Sequence, residues 1–270
     1  MKLNIRHSTI YQYDQPGGQL IQRCHLTPQT SATQTVLDWR VTAPGIEQAL
    51  SYRDAFGNIT HLINVQLEAE QVEVIAEGTV ETRDAAGVMG PDGGQVPLGA
   101  YLTPTPATQP NAAIRALARR HEGETGLDLM HALMGTVRDA IDFVVGASHA
   151  HTTAAEALKE GKGVCQDHTH VFISAARELG VPARYVSGYM AMAPGELAEA
   201  SHAWAEAYVP ELGWIGFDVA NRMCPDERYV RVAVAMDVTG ARPVKGIRRG
   251  YQQSAEHLRV EVLVDPAAEQ

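Results

Sequence analysis

Apolar and polar residues alternate from the start of the chain, with Leu3, Ile5, His7, Thr9, Tyr11 and Tyr13 on one parity and Asn4, Arg6, Ser8, Gln12 and Asp14 on the other. A period of two marks a strand with one buried face. It predicts a strand ending at the turn Pro16-Gly17-Gly18. The alternation returns at Leu37, Trp39 and Val41, then at Ile59, His61, Ile63, Val65 and Leu67, then at Val72 and Val74. Ala43-Pro44-Gly45 and Phe56-Gly57-Asn58 punctuate these runs. Short strands separated by turns, with no helix between them, predict an all-β sandwich-like domain over residues 1–85. His7 and His61 lie among apolar neighbours and read as core or rim histidines.

Five glycines and five prolines between Ala85 and Asn111 then predict a connector over residues 86–110, with Gly93-Gly94 and Thr103-Pro104-Thr105-Pro106 as its clearest marks. Beyond it the period becomes helical. Asn111 is placed to cap a segment through Ile114 and Leu117, and Leu129, Leu133, Val137 and Ile141 recur every four residues. Thr153-Ala154-Ala155-Glu156 reads as a capping box, and a longer helix from near Val164 runs through Phe172, Ala176 and Leu179 to a stop at Gly180 and Pro182. Alternation resumes over residues 184–190, 201–209, 213–219 and 229–238, and again at Leu258, Val260, Val262 and Val264. Helices first and strands after predict an α+β domain with an antiparallel sheet, over residues 111–265 with the C-terminal strand included.

Composition narrows the function classes. A chain of 270 residues, 45% hydrophobic and 20% charged, has the material for two folded domains. A formal net charge of -10 argues against a broad nucleic-acid-binding face. Arg248 and Arg249, beside Lys245 and Gly246, read as a solvated turn. No apolar run reaches the length of a membrane-spanning helix, and the polar residues within the first seven interrupt any signal-peptide pattern. Three scattered cysteines, Cys24, Cys165 and Cys224, do not make a disulfide framework. A reducing cytoplasm is the expected setting, and each thiol must be explained singly.

Cys165 has the most distinctive surroundings of the three. Gly161-Lys162-Gly163-Val164-Cys165 puts its thiol just inside a helix, where first-turn amides are unpaired and the helix dipole is positive, so the position favours a nucleophilic sulfur and could receive an oxyanion. In Ser201-His202-Ala203-Trp204-Ala205-Glu206-Ala207-Tyr208 the alternation puts His202, Trp204, Glu206 and Tyr208 on one face and alanines on the other. His202 could act as general base and acid toward a thiol. Asp218, the acid of an apolar strand with Ile215, Phe217 and Val219 on the opposite face, could orient an imidazole. Each feature also has a structural explanation: a buried cysteine acting as a small hydrophobe, a core histidine, and an aspartate bonding the turn at Asn221.

Taken together and in this order, the blocks resemble the transglutaminase-like superfamily. They are Gly163-Val164-Cys165-Gln166-Asp167, Arg177-Glu178-Leu179-Gly180-Val181-Pro182-Ala183-Arg184, Ser201-His202-Ala203-Trp204 and Gly213-Trp214-Ile215-Gly216-Phe217-Asp218. Residues 1–85 resemble the β domain preceding this core in bacterial members. The resemblance implies a papain-like core with Cys165 as nucleophile, His202 as base and acid, and Asp218 as orienter. It also implies cleavage of a peptide or amide bond through a thioester, with no cofactor or metal and with a peptide or protein as substrate. Transamidation to an amine and a non-catalytic interaction module are the alternatives. The stretch from Asn111 to Cys165 has no Trp, so the indole that assists the oxyanion in animal transglutaminases has no counterpart, and no oxygen-rich acidic cluster suggests calcium. A zinc site at Cys165, His168 and His170, with His149 and His151 upstream, is the chemical rival; its spacing matches no common zinc pattern.

Overall fold

The computed structural model of the chain describes residues 1–14, 17–91, 95–193, 195–198, 200–250 and 256–267, with side chains from 258 in the last span. Pro16 and Gly93-Gly94 of the expected turn and connector lie outside the described residues. The N-terminal half runs β1 (Lys2–Tyr13), β2 (Gln19–Thr27), β3 (Gln34–Thr42), β4 (Leu50–Arg53), β5 (Ile59–Gln66), β6 (Gln71–Thr82) and β7 (Val88–Gly90). Then come α1 (Ala112–Ala118), α2 (Gly126–Ala140), β8 (Asp142–Phe143), α3 (Ala154–Glu160), β9 (Lys162–Gly163) and α4 (Cys165–Glu178). The chain continues through β10 (Ala183–Met190), β11 (Leu197–Ala198), β12 (His202–Val209), β13 (Gly213–Phe217), β14 (Tyr229–Ala235), α5 (Val238–Ala241), β15 (Val244–Arg249) and β16 (Glu256–Pro266). The fold is α+β, with a core of helices packed on an antiparallel sheet behind a sheet-rich N-terminal region.

Three larger sheets organise these strands, in the orders β11-β16-β1-β6-β3, β15-β2-β5-β4 and β14-β10-β12-β13-β7. The third sheet is covered on both sides. Ala203, Ala205, Ala207, Ile215 and Phe217 pack with Val171, Phe172 and Ala176 of α4, whereas Tyr189, Val230 and Val232 pack with Leu3, Ile5 and Val80 of the N-terminal half. Burial on both faces explains why β10, β13 and β14 are poorer in polar residues than β1, whose polar face is largely solvated. The exposed backbone of edge strand β14 is met by side-chain amides. Gln34 accepts from the Arg231 amide and donates to its carbonyl, both at 2.8 Å, and Asn58 does the same for Val234 at 2.8 and 2.7 Å. Two planar amides thereby supply the pairing that an absent neighbouring strand would.

Several expectations need correction. The C-terminal run Leu258 to Val264 is β16, which pairs antiparallel with β1 from Leu3↔Pro266 to Tyr13↔Glu256. The strand grouped with residues 111–265 thus belongs to the N-terminal sheet, because Val262 and Val264 fill the core around Leu3 and Ile5. Arg248 and Arg249 lie on β15, paired with β2, instead of in a turn; Arg248 donates to the Gly17 carbonyl and lies over the Tyr13 ring. Leu37 is exposed because a bulge between Val36 and Asp38 breaks the alternation, so Val36 packs inward in its place. The connector is docked as well. Its β7 pairs with β13, its Tyr101 ring meets Trp214 edge-on at 4.9 Å, and Arg177 of α4 donates to Tyr101 O, Thr108 Oγ1, Ala183 O and Met236 O. A buried guanidinium needs those acceptors, and the connector supplies two of them.

Candidate active site

α4 begins where the sequence places it. Val164 is its extended N-cap and Cys165 its first helical residue. Asp167, fully buried, reaches back to accept from the Val164 amide at 2.8 Å and from Ser148 Oγ at 2.5 Å. That carboxylate ties the loop after β8 to the helix start. Gly163 is required there, because a Cβ would stand 2.6 Å from Asp167 Cβ. The amides of Asp167 and His168 are spent on the Val164 carbonyl at 3.0 and 3.2 Å, whereas those of Cys165 and Gln166 bond no backbone carbonyl among the described residues. These two first-turn amides are unspent donors, of the kind that can stabilise a developing oxyanion. At its other end α4 closes with Gly180 at φ +75°, Val181 N bonding Ala176 O at 2.9 Å, and Gly180 N bonding Arg177 O at 3.0 Å.

His202 opens β12, and Asp218 follows β13 directly. His202 Nε2 and Asp218 Oδ2 are 2.6 Å apart. Asp218 is fully buried and has further donors: Asn221 Nδ2 at 2.8 Å and Tyr229 OH at 2.8 Å on Oδ2, and the Asn221 amide at 3.2 Å on Oδ1. Paired backbone bonds between Asp218 and Met223 close the turn that carries Asn221. The orienting role and the turn-bonding role weighed for Asp218 are thus filled by the same carboxylate.

The electrostatics follow from these partners. Burial disfavours the His202 imidazolium, but the hydrogen bonds its ring donates to Asp218 and Cys165, together with the negative charges of those groups, outweigh it and hold the ring's pKa up at about 10. Burial likewise works against the Asp218 carboxylate, and the bonds from His202, Asn221 and Tyr229 overcome it, leaving Asp218 below the usual carboxylate range. Since Nε2 is committed to Asp218, Nδ1 is the nitrogen left for the thiol. The structure thus brings Cys165, His202 and Asp218 together in series.

The other histidines are placed differently. His168 is fully buried with Nδ1 2.8 Å from Val164 O and Nε2 2.9 Å from Ile141 O. Burial pushes His170 down to about 4, and its Nε2 accepts from the Val238 amide. His149 and His151 are exposed. Among the described residues no three His, Cys, Asp or Glu side chains converge as a metal site. The sequence reading missed Tyr229, Ser148 and the buried role of Asp167. Tyr229 lies on a separate strand and reaches Asp218 only through the sheet order, which nothing in local spacing reveals.

Comparison with known proteins places both halves. A model of the transglutaminase-like superfamily matches residues 115–219, and one of the bacterial transglutaminase-like N-terminal region matches residues 3–81. An uncharacterized protein of Mycobacterium leprae is 27% identical over 282 residues, covering 97% of this chain and 98% of the relative. One of Mycobacterium tuberculosis is 25% identical over 297 residues, covering 98% and 92%. Among solved structures, a protein of Cytophaga hutchinsonii described as a putative cysteine protease shares the fold, with a TM-score of 0.76 at 21% identity over 100% of this chain and 92% of that one.

Proposed function

Because this chain belongs to the transglutaminase-like superfamily, we propose that it cleaves a peptide or amide bond by thiol-dependent acyl transfer through Cys165. The observation that carries the reading is the series Cys165, His202, Asp218, with Nε2 held to the carboxylate at 2.6 Å and the thiol acting on the same imidazole. His202 takes the thiol proton, the sulfur attacks the carbonyl carbon, and the oxyanion is received by the amides of Cys165 and Gln166. As the tetrahedral intermediate collapses, the C–N bond breaks and His202 gives its proton to the departing amine, leaving a thioester. Water, deprotonated by His202, then releases the acid and regenerates the thiol. Asp218 stays ionised and stabilises the imidazolium that forms in each half-reaction. A reducing compartment such as the cytoplasm suits a mechanism that needs a free thiol, and Cys24, Cys165 and Cys224 are all unpaired.

Alkylation by iodoacetamide across pH, read by peptide mass spectrometry, tests the first step. Cys165 is expected to react below pH 7 ahead of Cys24, which burial pushes up to about 12, and Cys224, which burial also raises. That preference should vanish in His202→Ala, and Cys165→Ala should lose cleavage of a peptide library. An inert Cys165 would overturn the reading. With glutamine-containing peptides and an added amine, incorporation exceeding hydrolysis would replace hydrolysis by transamidation.

A further inference from the structure

The carboxylate behind His202 is held by more than its own turn. Asn221 is three residues from Asp218, so its two bonds fix the carboxylate only relative to the strand that bears it. The hydroxyl of Tyr229 comes from β14, on the far side of β10 and β12 from β13. Its ring meets Trp204 edge-on, with centroids 5.5 Å apart at 86°, and lies 5.9 Å from the His202 ring, while Trp204 lies 6.2 Å from His202. The absence of a side chain at Gly188 makes this possible. A Cβ there would stand 2.5 Å from Trp204 Cη2 and 2.2 Å from Val230 O, in the strip of β10 that separates His202 from β14. Tyr229 is itself buried, and its hydroxyl donates to Asp218 Oδ2 at 2.8 Å.

Asp218 Oδ2 thus receives three donors: His202 Nε2, Asn221 Nδ2 and Tyr229 OH. A carboxylate shares a limited negative charge among its donors, so what it gives the phenol it withholds from the imidazole. We propose that Tyr229 is a positioning residue that, through its bond to Asp218, sets how tightly His202 holds its proton and hence the pH range over which Cys165 is activated. This deepens the acyl-transfer reading and rests on it for its consequence, although the bond itself does not. Among the described residues, the ionisable groups acting on His202 are Asp218 after β13 and Cys165 on α4, and those acting on Tyr229 are Asp218 and Arg228.

The test reads the His202 ring nitrogens directly, by 15N NMR titration of the full chain in a Cys165→Ser background, where the thiolate's contribution is gone and the midpoint is lower. Tyr229→Phe removes a donor, leaves Asp218 a stronger acceptor, and should raise the His202 midpoint by about 0.5–1 pH unit. Site-specific 3-fluorotyrosine at Tyr229 is nearly isosteric and a stronger donor, and should lower it. Opposite shifts support the proposal. An unchanged midpoint in both, or shifts of the same sign, would overturn it in favour of simple packing. Should Tyr229→Phe not fold, the fluorotyrosine protein decides alone, a downward shift supporting the proposal and no shift sinking it. With Cys165 restored, kcat for peptide cleavage should fall several-fold in Tyr229→Phe at unchanged KM. If no peptide is cleaved even by the unmodified protein, the acyl-transfer reading fails while the midpoints still report on Tyr229.

Discussion

His7 in the N-terminal half and His202 in the C-terminal half both sit on antiparallel strands with their rings hydrogen-bonded, yet their surroundings push their pKa values in opposite directions. His7 lies between Tyr189 OH at 2.9 Å and Thr9 Oγ1 at 3.0 Å, and burial lowers it to about 4. His202 is also penalised by burial, but Asp218 and Cys165 raise it to about 10. Hydroxyls satisfy a neutral ring without compensating a charged one, whereas a carboxylate at 2.6 Å compensates the charge itself. A tyrosine takes part in both places. At His7 it bonds the ring, and at His202 it bonds the carboxylate behind the ring. The lesson is that the charge on the partner, more than burial or strand position, separates a histidine available for proton transfer from one that completes a core.

The most severe way to break the comparison is Asp218→Asn, which keeps the shape and the hydrogen bond but removes the charge, making the surroundings of His202 more like those of His7. Peptide cleavage is expected to drop by about 10⁴ in kcat, the scale seen when a triad carboxylate is neutralised, and alkylation of Cys165 below pH 7 should disappear. A loss under about tenfold would show that the thiol does not depend on this imidazolium.

Stability against pH should carry both signs. His7, His25 and His170 are each lowered from 6.5 to about 4, so the unfolded chain binds more protons between those values. Their contribution is present above pH 6.5 and is lost as pH falls toward 4, on the order of 3 kcal/mol for each as a ceiling. His202 works the other way: raised to about 10, it contributes fully below pH 6.5 and loses that contribution as pH rises through 10. Urea unfolding midpoints should therefore fall on the acid side through the core histidines and on the alkaline side partly through the site. His7→Phe should lessen the fall on the acid side, to which His25 and His170 still contribute, and leave the alkaline side unchanged, whereas His202→Ala should flatten the alkaline side. If His7→Phe flattens the alkaline side, the separation of the two histidines is wrong.

How far this contrast was legible in the sequence depends on what local pattern encodes. Period two placed His7 and His202 on strands, and the glycine approach to Cys165 marked the helix start, because these depend on neighbours in the chain. The partners that set protonation are distant: Tyr189 stands 182 residues from His7, and Tyr229 reaches Asp218 only across the sheet. β2 escaped notice for a related reason. Its Gln22 and His25 are buried, and a register shift between Cys24 and Thr27 breaks its alternation, so burial does not follow hydrophobicity there. Glu206 was visible on the His202 face of β12. Its burial between Arg184 and Arg231, at 2.7 Å from each, follows from β10 beside it and β14 beyond. The docked connector was unreadable because its glycines and prolines signal a break in regular structure and say nothing of the buried Arg177 that binds its carbonyl and hydroxyl oxygens.

The mildest perturbation separates structure from chemistry on the His7 side. Replacing His7 by Phe keeps an aromatic ring edge-on to Tyr189, where the centroids now stand 5.6 Å apart at 89°, but removes both ring nitrogens. Tyr189 OH is left in the core without its histidine partner, and an unsatisfied buried hydroxyl costs about 1–3 kcal/mol. Thr9 loses a bond of the same kind, although its hydroxyl can rotate to another acceptor, which holds the total toward the lower end of that range. Chemical denaturation at pH 7 should show that loss, with the alkylation rate of Cys165 unchanged at every pH where the protein is folded. A change in that rate would mean that the core shared by β1 and β10 transmits to the site, and that the two histidines are not independent. An unchanged rate with reduced stability would leave His7 as packing and keep the chemistry with His202 and its carboxylate.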